Sequence, residues 1–527
     1  MFRVLLISIL GLILASQALS QDAHDFQEGK KQFILERYSQ AIRSFEPIKA
    51  ITPTNHEVRY FLGVSYYFVN ELELAKEELT QCLNHQKSPS EDLCFYLAKV
   101  YHSNHEFIQA VKYYKDFLRK AEKNDERRLM VKSEILRCVT GMRILGNRNQ
   151  NIVENLGENI NSRRDEIVPV LSPNDPAKLY FSANKASSLE KGNSFQEPNF
   201  DIYYSYSNNG KWTGNEQIAY SINTSENEVL LDFDSTGSTM FFFRSPILTR
   251  GNVLTKNFDV DSAGQIDFRD PFNAQKGDCT PYLFNQNTLI FASRRAGGYG
   301  GLDLYWTSIQ NGVWSEPQNL GKAINTEFDE TSPFLSSDGR ILYFSSNHPR
   351  RSMGGLDIFK SVFYDEIEKW SEPHNLEYPI NSAGNDTDFR LSKDGKLAYF
   401  SSNRKSGFGG SDIYGCFFRE VQRSQFLKSN PAVFWEVKEY KERSLKDLIN
   451  LNVKEQEKLY KVQIVSGIEQ LEELKAKFPN LKVELPSNGD KTHFTIRTYR
   501  VVQSAYLFKK DLIRQGFEDV LVSEVFE

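Results

Sequence analysis

The middle of the chain repeats one pattern of apolar and polar positions about once every 50 residues. The clearest copy places an apolar run at 341–347 before a Gly354 and Gly355 turn, and then begins a further run at Asp357. Each copy contains four short runs rich in Phe, Tyr, Ile and Leu, separated by glycine-containing pairs that favour hairpin turns. The pattern predicts four antiparallel strands per copy over residues 160–435.

An aspartate at the start of the third strand fixes the period. Asp357 lies 54 residues after Asp303 and 55 residues before Asp412. Asp201 lies 102 residues before Asp303, so a worn copy should fall between them, and Asp259 lies there. Radial stacking into a β-propeller is the usual way for such units to bury both faces. We expect five blades, with six as the alternative, and a structural role for the five aspartates because every copy has one.

Further repeated motifs resemble those of a known propeller family. The tryptophans Trp212, Trp314 and Trp370 recur with the blades. The two most regular copies share Ser-x-Asp-Gly, Tyr-Phe-Ser-Ser-Asn and Gly-Gly-x-Asp-Ile. These motifs resemble the WD40-like blades of the Tol-type (TolB-like) propellers over about half of the chain, and the resemblance implies the propeller fold.

Residues 22–147 have a helical period and a second repeat of 34 to 35 residues. Small residues recur at Gly29, Gly63 and Ala98, and twelve residues later at Ala41, Ala75 and Ala110. The pattern resembles tetratricopeptide repeats with three units and a final helix. The resemblance implies a concave face that holds peptide segments, and the alternative is a helical spacer that only packs on the propeller. We expect His102 and His105 to lie in a solvated turn without a metal, because no further ligands accompany them.

The N-terminus has the layout of a secretory signal. Arg3 precedes an apolar run over residues 4–14, and small residues follow at 15–20. This layout predicts a signal peptide over residues 1–20 with cleavage after Ala18 or Ser20. A membrane anchor is the alternative, but a spanning helix needs about 20 apolar residues. We therefore expect a periplasmic protein without a transmembrane anchor, associated with the outer membrane or the cell wall.

Composition and motifs disfavour several classes of function. The 64 Lys plus Arg against 69 Asp plus Glu give a net charge of -5, so bulk nucleic-acid binding is not predicted. The five cysteines show no Cys-x-x-Cys spacing, and Cys82 and Cys94 could either pair or remain buried thiols. The chain contains no phosphate loop, dinucleotide fingerprint or hydrolase motif, so we expect no cofactor, no metal and no enzyme activity.

The C-terminal segment has a different order of elements. A candidate ring-closing strand at 432–435 and a helical linker at 436–458 precede it. Residues 459–527 then predict strand-helix-strand-strand-helix-strand, the split βαβ arrangement of a ferredoxin-like α+β domain. The opening strand around Val462 and its echo around Phe494 resemble SPOR domains, which bind septal peptidoglycan.

Strict alternation selects the residues that would bind peptidoglycan in this domain. Val462 and Phe494 should face the helices, so Gln463, Arg497 and Tyr499 should lie on the open face of the sheet. An amide, a guanidinium and a phenol suit the hydroxyl and acetamido groups of glycan strands. The alternative is that the three are ordinary solvent-facing residues on a module that contacts another protein.

The combination of segments resembles envelope proteins associated with type IX secretion and gliding in Bacteroidetes. We expect a non-catalytic periplasmic scaffold that binds envelope proteins through its repeats and propeller, and peptidoglycan through its last domain. The alternative is a glycan-active or glycan-sensing propeller enzyme. A catalytic carboxylate pair would be unique to one or two blades, and no such pair stands out among the repeated aspartates.

Overall fold

The computed structural model describes residues 24–84, 90–146, 151–184, 199–418 and 458–526, apart from short internal stretches, of which the longest are 259–262, 265–271, 273–276, 485–491 and 500–508. The expected signal peptide, the strand at 432–435 and the linker, apart from Lys458, lie outside the described residues. The chain divides into two units, Met1–Ile449 and Asn450–Glu527. In the described part of the chain, no helix is long and apolar enough to cross a membrane.

Seven helices open the described part of the first unit, and we call them the helical layer. They are α1 (24–34), α2 (Tyr38–Ile51), α3 (His56–Phe68), α4 (Leu72–Asn84), α5 (Glu91–Ser103), α6 (Phe107–Lys120) and α7 (Arg127–Gly146). A Cβ added to Gly29 would lie 2.7 Å from the Phe45 ring, and one added to Gly63 would lie 2.6 Å from the Leu79 side chain. The repeated small residues therefore set how closely the paired helices approach.

Five antiparallel sheets follow, one for each blade. Blade 1 contains β2 (Glu166–Leu171), β3 (Lys178–Ala183), β4 (Asp201–Asn208), β5 (Lys211–Trp212) and β6 (Glu216–Gln217). Blade 2 contains β7 (Asn227–Phe233), β8 (Thr239–Ile247), β9 (Arg250–Asn257) and β10 (Ala263–Gly264). Blade 3 contains β11 (Cys279–Phe284), β12 (Thr288–Ser293), β13 (Asp303–Gln310), β14 (Val313–Trp314) and β15 (Gln318–Asn319).

The last two blades complete the ring. Blade 4 contains β16 (Glu330–Leu335), β17 (Ile341–Ser346), β18 (Asp357–Tyr364), β19 (Lys369–Trp370) and β20 (His374–Asn375). Blade 5 contains β21 (Asp386–Leu391), β22 (Leu397–Ser402), β23 (Asp412–Phe417) and, as its outer strand, β1 (Ile152–Asn155). The inner strands β2, β7, β11, β16 and β21 contact one another in that order, and β21 contacts β2. The described residues therefore form a closed propeller of five blades.

The ring is closed by a strand from its N-terminal side. β1 pairs antiparallel with β23, with Ile152 opposite Phe417 and Asn155 opposite Tyr414. The propeller accordingly begins at β1, several residues before the repeat pattern predicts. The outer edge of β23 is occupied by β1, which is the place that the candidate strand at 432–435 was expected to take.

Apolar side chains fill the spaces between neighbouring blades. All six residues of β17 are buried, because sheets cover both of its faces. Tyr343 of blade 4 stacks on Phe389 of blade 5 with ring centroids 4.8 Å apart. Each inner strand has a free edge toward the axis, and prolines at Pro169, Pro281 and Pro333 are tolerated there because no ladder bond is lost.

The second unit contains an antiparallel sheet of four strands. Its elements are β24 (Lys458–Ser466), α8 (Leu471–Lys477), β25 (Lys482–Glu484), β26 (Thr492–Tyr499) and β27 (Val520–Phe526), and the strand order is β25-β26-β24-β27. This order is that of the split βαβ arrangement. Val462, Ile464, Phe494 and Leu474 form its core together with Leu512, which lies in the region of the expected second helix.

All five cysteines are free thiols. Cys82 Sγ lies 3.3 Å from the carbonyl oxygen of His56, to which it donates, and Cys94 is buried separately in the helical layer. Of the two alternatives for this pair, the structure shows buried thiols.

Candidate functional site

The aspartate of blade 4 is a buried acceptor for the loop that precedes it. Asp357 is fully buried and accepts the N–H groups of Met353 and Gly354 at 2.9 and 3.0 Å. Its carboxylate also accepts the Asn375 side-chain amide at 2.8 Å. Burial raises the pKa of Asp357 to about 7, and the nearby Asp386 adds to the shift. Since its oxygens are committed to the loop, Asp357 shapes the blade.

The same bond recurs in the neighbouring blades. Asp303 accepts the N–H of Tyr299, and Asp412 accepts the N–H of Phe408, both at 2.6 Å. Tyr299, Met353 and Phe408 all lie four residues before the aspartate of their blade. The repeated aspartate therefore fixes one loop geometry in three consecutive blades.

Blades 1 and 2 depart from this arrangement. Asp201 accepts the Gln217 side-chain amide at 2.7 Å, and most of the loop before Asp201 lies outside the described residues. In blade 2 the third strand begins at Arg250 and ends at Asn257. Asp259, which is not among the described residues, therefore follows that strand instead of opening it. The position expected for the worn copy is wrong by the length of a strand.

Among the described residues, a second repeated network ties four of the five blades to the next. Asn381 accepts the N–H of Ile358 at 2.7 Å and donates to its carbonyl oxygen at 2.8 Å, as a neighbouring strand would. The N–H of Ser382 then donates to the fully buried Asp386 at 2.6 Å. Equivalent asparagine bonds join Asn161 to Ile413, Asn223 to Ile202 and Asn325 to Leu304. These asparagines stand in an Ile-Asn-Ser/Thr motif that recurs in the sequence, and its recurrence alone does not reveal this bonding role.

Five equivalent positions near the axis differ in every blade. Each lies four residues after a buried acidic residue at the start of an inner strand, and we call these residues the axial set: Val170, Asp232, Tyr282, Phe334 and Arg390. Only blades 2 and 5 carry a charge there. An alignment of the five copies position by position would have revealed Asp232 and Arg390. A search for residues that recur, such as the repeated aspartates, does not find them.

Arg390 reaches from blade 5 to a blade that is not its neighbour. The guanidinium carbon lies 5.2 Å from the ring centroids of both Tyr282 and Phe334. The side chain is 9% exposed, and its Nη1 donates to the carbonyl oxygens of Phe389 at 3.3 Å and Pro333 at 3.4 Å. Among the described residues its Nε has no hydrogen-bond partner. Because blades 5 and 3 are not adjacent, Arg390 spans the axis and braces the inner strands.

The charged members of the axial set influence each other without a direct ion pair. Burial raises the pKa of Asp232 to about 6, and the Arg390 guanidinium limits the rise. Burial also raises the pKa of Tyr282, with Asp232 adding to the effect. A carboxyl group that titrates near pH 6 could exchange a proton with a bound molecule.

Backbone strain is concentrated on the same inner strands. Val168, Thr280, Ser332 and Asp388 have φ values of 52°, 44°, 50° and 54°. All four lie two residues before the axial set, and none is a glycine. Left-handed backbone is costly for β-branched residues such as Val168 and Thr280. It persists here in four of the five blades, so the fold requires the bulge that these residues form.

The helical layer contacts the loops of blades 4 and 5. Met353 is fully buried and packs into the core of the helices. Arg137 donates to the carbonyl oxygen of Asn347 at 2.8 Å, and the Asn70 side chain donates to that of Gly409 at 3.4 Å. These contacts join helices α5 and α7 and the α3–α4 turn to two successive blades.

His102 lies at the centre of this junction. Its Nε2 is 2.9 Å from the Met353 carbonyl oxygen and its Nδ1 is 3.1 Å from Glu134 Oε2. Both nitrogens therefore face acceptors, which a protonated imidazole satisfies. Burial alone would lower the pKa of His102, but the Cys138 sulfur and the Glu134 carboxylate outweigh it and raise the pKa to about 10.

His105 makes the opposite kind of contact three residues later. Its Nε2 accepts the N–H of Ala383 at 3.0 Å. Burial lowers the pKa of His105 to about 3, reinforced by the side chains of Lys405 and Arg404. The expected solvated turn is therefore wrong, because both histidines bind the propeller. Within the described residues, no group of three or more His, Cys, Asp or Glu side chains is placed to hold a metal.

Gln463 of the second unit is held inside the sheet. The side chain is 4% exposed. Its amide nitrogen donates to Thr495 Oγ1 at 2.9 Å, and its oxygen accepts from Ser523 Oγ at 3.0 Å. Gln463 therefore links three strands, which differs from the open position expected for a glycan contact.

Arg497 and Tyr499 lie on β26, and their side chains are outside the described residues. Their partners in the register with β24 are Val462 and Tyr460. The register shifts between Val462 and Gln463, so strict alternation does not carry across the two strands. The structure thus does not bring the three proposed residues together as one described surface.

Comparisons with solved structures find β-propellers. A putative TolB from Agrobacterium tumefaciens is 13% identical over 51% of this chain and 90% of its own, with a TM-score of 0.30. The TolB from Acinetobacter baumannii is 15% identical over 50% of this chain and 56% of its own, with a TM-score of 0.30. An endo-arabinase from Bacteroides thetaiotaomicron is 12% identical over 49% of this chain and 97% of its own, with a TM-score of 0.33. No protein-family model and no curated protein matches the chain.

Proposed function

We propose that the protein is a non-catalytic periplasmic scaffold of the cell envelope. Its helical layer, as tetratricopeptide repeats, and its propeller bind envelope proteins. Its last domain, as a SPOR-like module, binds peptidoglycan. Type IX secretion or gliding is the pathway that the order of segments suggests for it.

The junction between helical layer and propeller carries this proposal. His102 and Arg137 bond main-chain carbonyl groups of blade 4, and Met353 of that blade is fully buried among the helices. Main-chain partners and a buried side chain oppose sliding or hinge motion between two domains, which are otherwise expected to move. A scaffold needs two binding surfaces that are held at a fixed separation. Because this junction opposes relative motion, it fixes the separation between the surfaces of the helical layer and the propeller.

Capture from crosslinked envelopes tests the scaffold. Tagged full-length protein should retain a reproducible set of envelope proteins, and Arg137→Ala should retain less of it because the junction with Asn347 is weakened. Arg351→Ala is the matched control, since that arginine forms an exposed ion pair with Glu372 at 2.7 Å. A capture no richer than that of an unrelated periplasmic protein would contradict the proposal.

Peptidoglycan binding by the last domain rests on Arg497 and Tyr499. Gln463 is left out of the proposed contact, because Thr495 and Ser523 bind its side chain within the sheet. Full-length protein should sediment with amidase-treated sacculi, and an Arg497→Ala, Tyr499→Ala double variant should remain in solution. Equal sedimentation of the double variant would remove these residues from the site, and no sedimentation of the wild type would remove the function.

A glycan-active propeller is the second candidate, and Asp232 favours it. This carboxyl group is found in one blade only, and burial raises its pKa to about 6. Asp388 of blade 5 supplies a second unrepeated carboxyl group two residues before the axial set. Glycosidases use two such groups, one as a proton donor. Release of reducing ends from sacculi or arabinan by the wild type, abolished in Asp232→Asn, would favour the enzyme over the scaffold.

A further inference from the structure

Arg390 of the axial set has hydrogen-bond donors that the described residues leave unused. The side chain is 9% exposed, and both of its hydrogen bonds come from Nη1, which donates to the carbonyl oxygens of Phe389 and Pro333. Its Nε and Nη2 make no hydrogen bond within the part of the chain that the structure describes. A buried guanidinium with unused donors costs free energy unless an anion or another acceptor reaches it.

Asp232 offers an unused acceptor from blade 2. One carboxylate oxygen, Oδ1, accepts the N–H of Phe233 at 2.8 Å. The other oxygen, Oδ2, accepts no hydrogen bond from the described residues, and the side chain is partly exposed to solvent. Arg390 is the charged side chain whose field acts on Asp232, although the two groups form no ion pair. A cation and an anion therefore stand apart near the axis.

The ring keeps these two charges from meeting. Asp232 lies on β7 and Arg390 on β21, and the inner strand β2 contacts both strands from between them. Aromatic rings also hold the guanidinium, whose carbon lies 5.2 Å from the ring centroids of Tyr282 and Phe334. Those two rings meet edge to face at 5.4 Å. Arg390 would have to give up these contacts in order to reach Asp232.

Separated charges are unusual for this propeller. In three blades a buried acid is neutralised by an arginine of the same blade, and the pairs are Glu228–Arg244 at 2.9 Å, Asp278–Arg295 at 2.6 Å and Asp386–Arg404 at 2.7 Å. Asp232 and Arg390 depart from this rule, and each is found in one blade only. Departures from the rules that a fold otherwise follows are expected at functional sites.

The other members of the axial set are apolar or aromatic. Val170 and Tyr282 are each 5% exposed, and Phe334 is partly exposed. The Tyr282 hydroxyl donates to the Leu335 carbonyl oxygen at 3.3 Å, which fixes its ring. Because Asp232 and Phe334 are partly exposed, solvent reaches the axial set. A small molecule there meets a carboxylate oxygen, a guanidinium and aromatic surface.

One cation and one anion that do not pair with each other select a ligand that carries both charges. A lone anion would neutralise Arg390 and leave Asp232 without a cation, and a lone cation would do the reverse. A neutral sugar would neutralise neither group. A small zwitterion offers a carboxylate to the guanidinium and an ammonium group to the carboxylate, and both contacts are charge-assisted hydrogen bonds. Free α-amino acids and short peptides are zwitterions of this kind.

We propose that the axial set binds a small zwitterion, a free α-amino acid or a short peptide, with its carboxylate on Arg390 and its ammonium group on Asp232. An apolar side chain of the ligand packs on Phe334. This inference goes beyond the proposed scaffold function and does not depend on it, because it concerns the axis of the propeller alone.

Isothermal titration calorimetry of the full-length protein tests the inference with two probes, leucine and the dipeptide alanyl-alanine. At least one of them should bind, and a comparison of the two distinguishes a free amino acid from a short peptide. The N-acetylated form and the amide of the bound probe each lack one charge. Each should bind about tenfold more weakly, because one hydrogen bond between charged groups is lost.

Variants of the two charged residues assign the contacts. Asp232→Asn should weaken binding about tenfold and remove the preference for the free probe over its N-acetylated form. Arg390→Gln should remove the preference for the free probe over its amide. Asp365→Asn is the matched control, since the exposed Asp365 pairs with Arg340 at the surface.

The outcomes decide between a zwitterion site and its alternatives. No binding of either probe, equal binding of the N-acetylated form, or an equal loss in Asp365→Asn would each overturn the inference. Melting temperatures check that the variants are folded, and if Arg390→Gln is not, Asp232→Asn decides alone. Binding of an arabinan oligosaccharide without binding of either zwitterion would also overturn the inference and would favour the glycan-active propeller.

Discussion

Blades 4 and 5 share a backbone pattern but neutralise their buried inner acid differently. In blade 5, Arg404 lies 2.7 Å from the fully buried Asp386. His348 holds the equivalent position in blade 4, and there the fully buried Glu330 accepts hydroxyl groups, that of Ser346 at 2.8 Å among them. Burial raises the pKa of Glu330. The same repeat thus tolerates either an ion pair or a network of neutral donors around one buried acid.

The loops of the two blades also differ in what they contact. Met353 and Phe408 hold equivalent positions, yet Met353 is fully buried and Phe408 is 45% exposed. In blade 4 the side chain of Met353 packs inside the helical layer. In blade 5 the side chain of Arg404 forms an ion pair with Asp386 of the same blade. The difference teaches that the repeat sets the backbone, and that single substitutions decide which blade serves as an attachment point.

Arg404→Ala should give the largest loss in the free energy of unfolding and so the largest difference between blades 4 and 5. The change leaves Asp386 buried without its cation, and removal of one partner of a buried ion pair costs about 3 to 5 kcal/mol. His348→Ala, at the equivalent position of blade 4, should cost less than about 1 kcal/mol because no ion pair is lost. Urea unfolding followed by tryptophan fluorescence measures both. Similar losses in the two variants would show that the ion pair is not what distinguishes the blades.

Met353→Ala should have the next largest effect. A buried methionine replaced by alanine costs about 2 kcal/mol or more, here at the contact with the helical layer. Phe408→Ala is its matched control and should change stability by less than about 0.5 kcal/mol, since the ring is already exposed. Limited proteolysis should cut Met353→Ala between helical layer and propeller faster than it cuts the wild type. If protease cut Met353→Ala and Phe408→Ala at the same rate, the Met353 side chain would not be what stabilises the junction between helical layer and propeller.

The pH dependence of Asp357 gives a third way to sharpen the comparison. Its folded pKa of about 7 lies above the value of about 3.9 for an unfolded chain. The folded state therefore holds the proton more tightly, and this contribution to stability is complete below about pH 4 and is lost as pH rises through about 7. Melting temperatures at pH 5 and pH 8 should differ less in Asp357→Asn than in the wild type. An unchanged difference would show that Asp357 does not titrate in this range.

Repetition made the propeller predictable. In blades 3, 4 and 5 the same loop is tied by the same aspartate, so Asp303, Asp357 and Asp412 recur. Trp212, Trp314 and Trp370 recur in the short outer strands β5, β14 and β19. The helical repeat was predictable for the same reason, since Gly29 and Gly63 are required wherever two helices touch. The succession of strands along the second unit was predictable from the alternation of apolar and polar residues within each strand.

Features that depend on partners distant in sequence could not be predicted in this way. His102 binds a carbonyl group 251 residues away, and neither sequence neighbourhood contains a signal for the other. Asp232 and Arg390 are unlike their equivalents, so a search for repeated residues passes over them. Gln463 was misplaced because Thr495 and Ser523 of the neighbouring strands bind its side chain, and alternation within one strand does not identify such partners.

The position of β1 has a consequence for how the protein is made. Asn155 donates to Asp412 at 2.7 Å, across 257 positions of sequence. During synthesis β1 emerges first and must wait for the last blade, so closing the ring is a late step with a large entropic cost of loop closure. A nascent chain that stops before Asp412 has an open ring with bare strand edges at both ends. Such edges pair readily with other chains, so incomplete products should aggregate or require a chaperone until the final strand arrives.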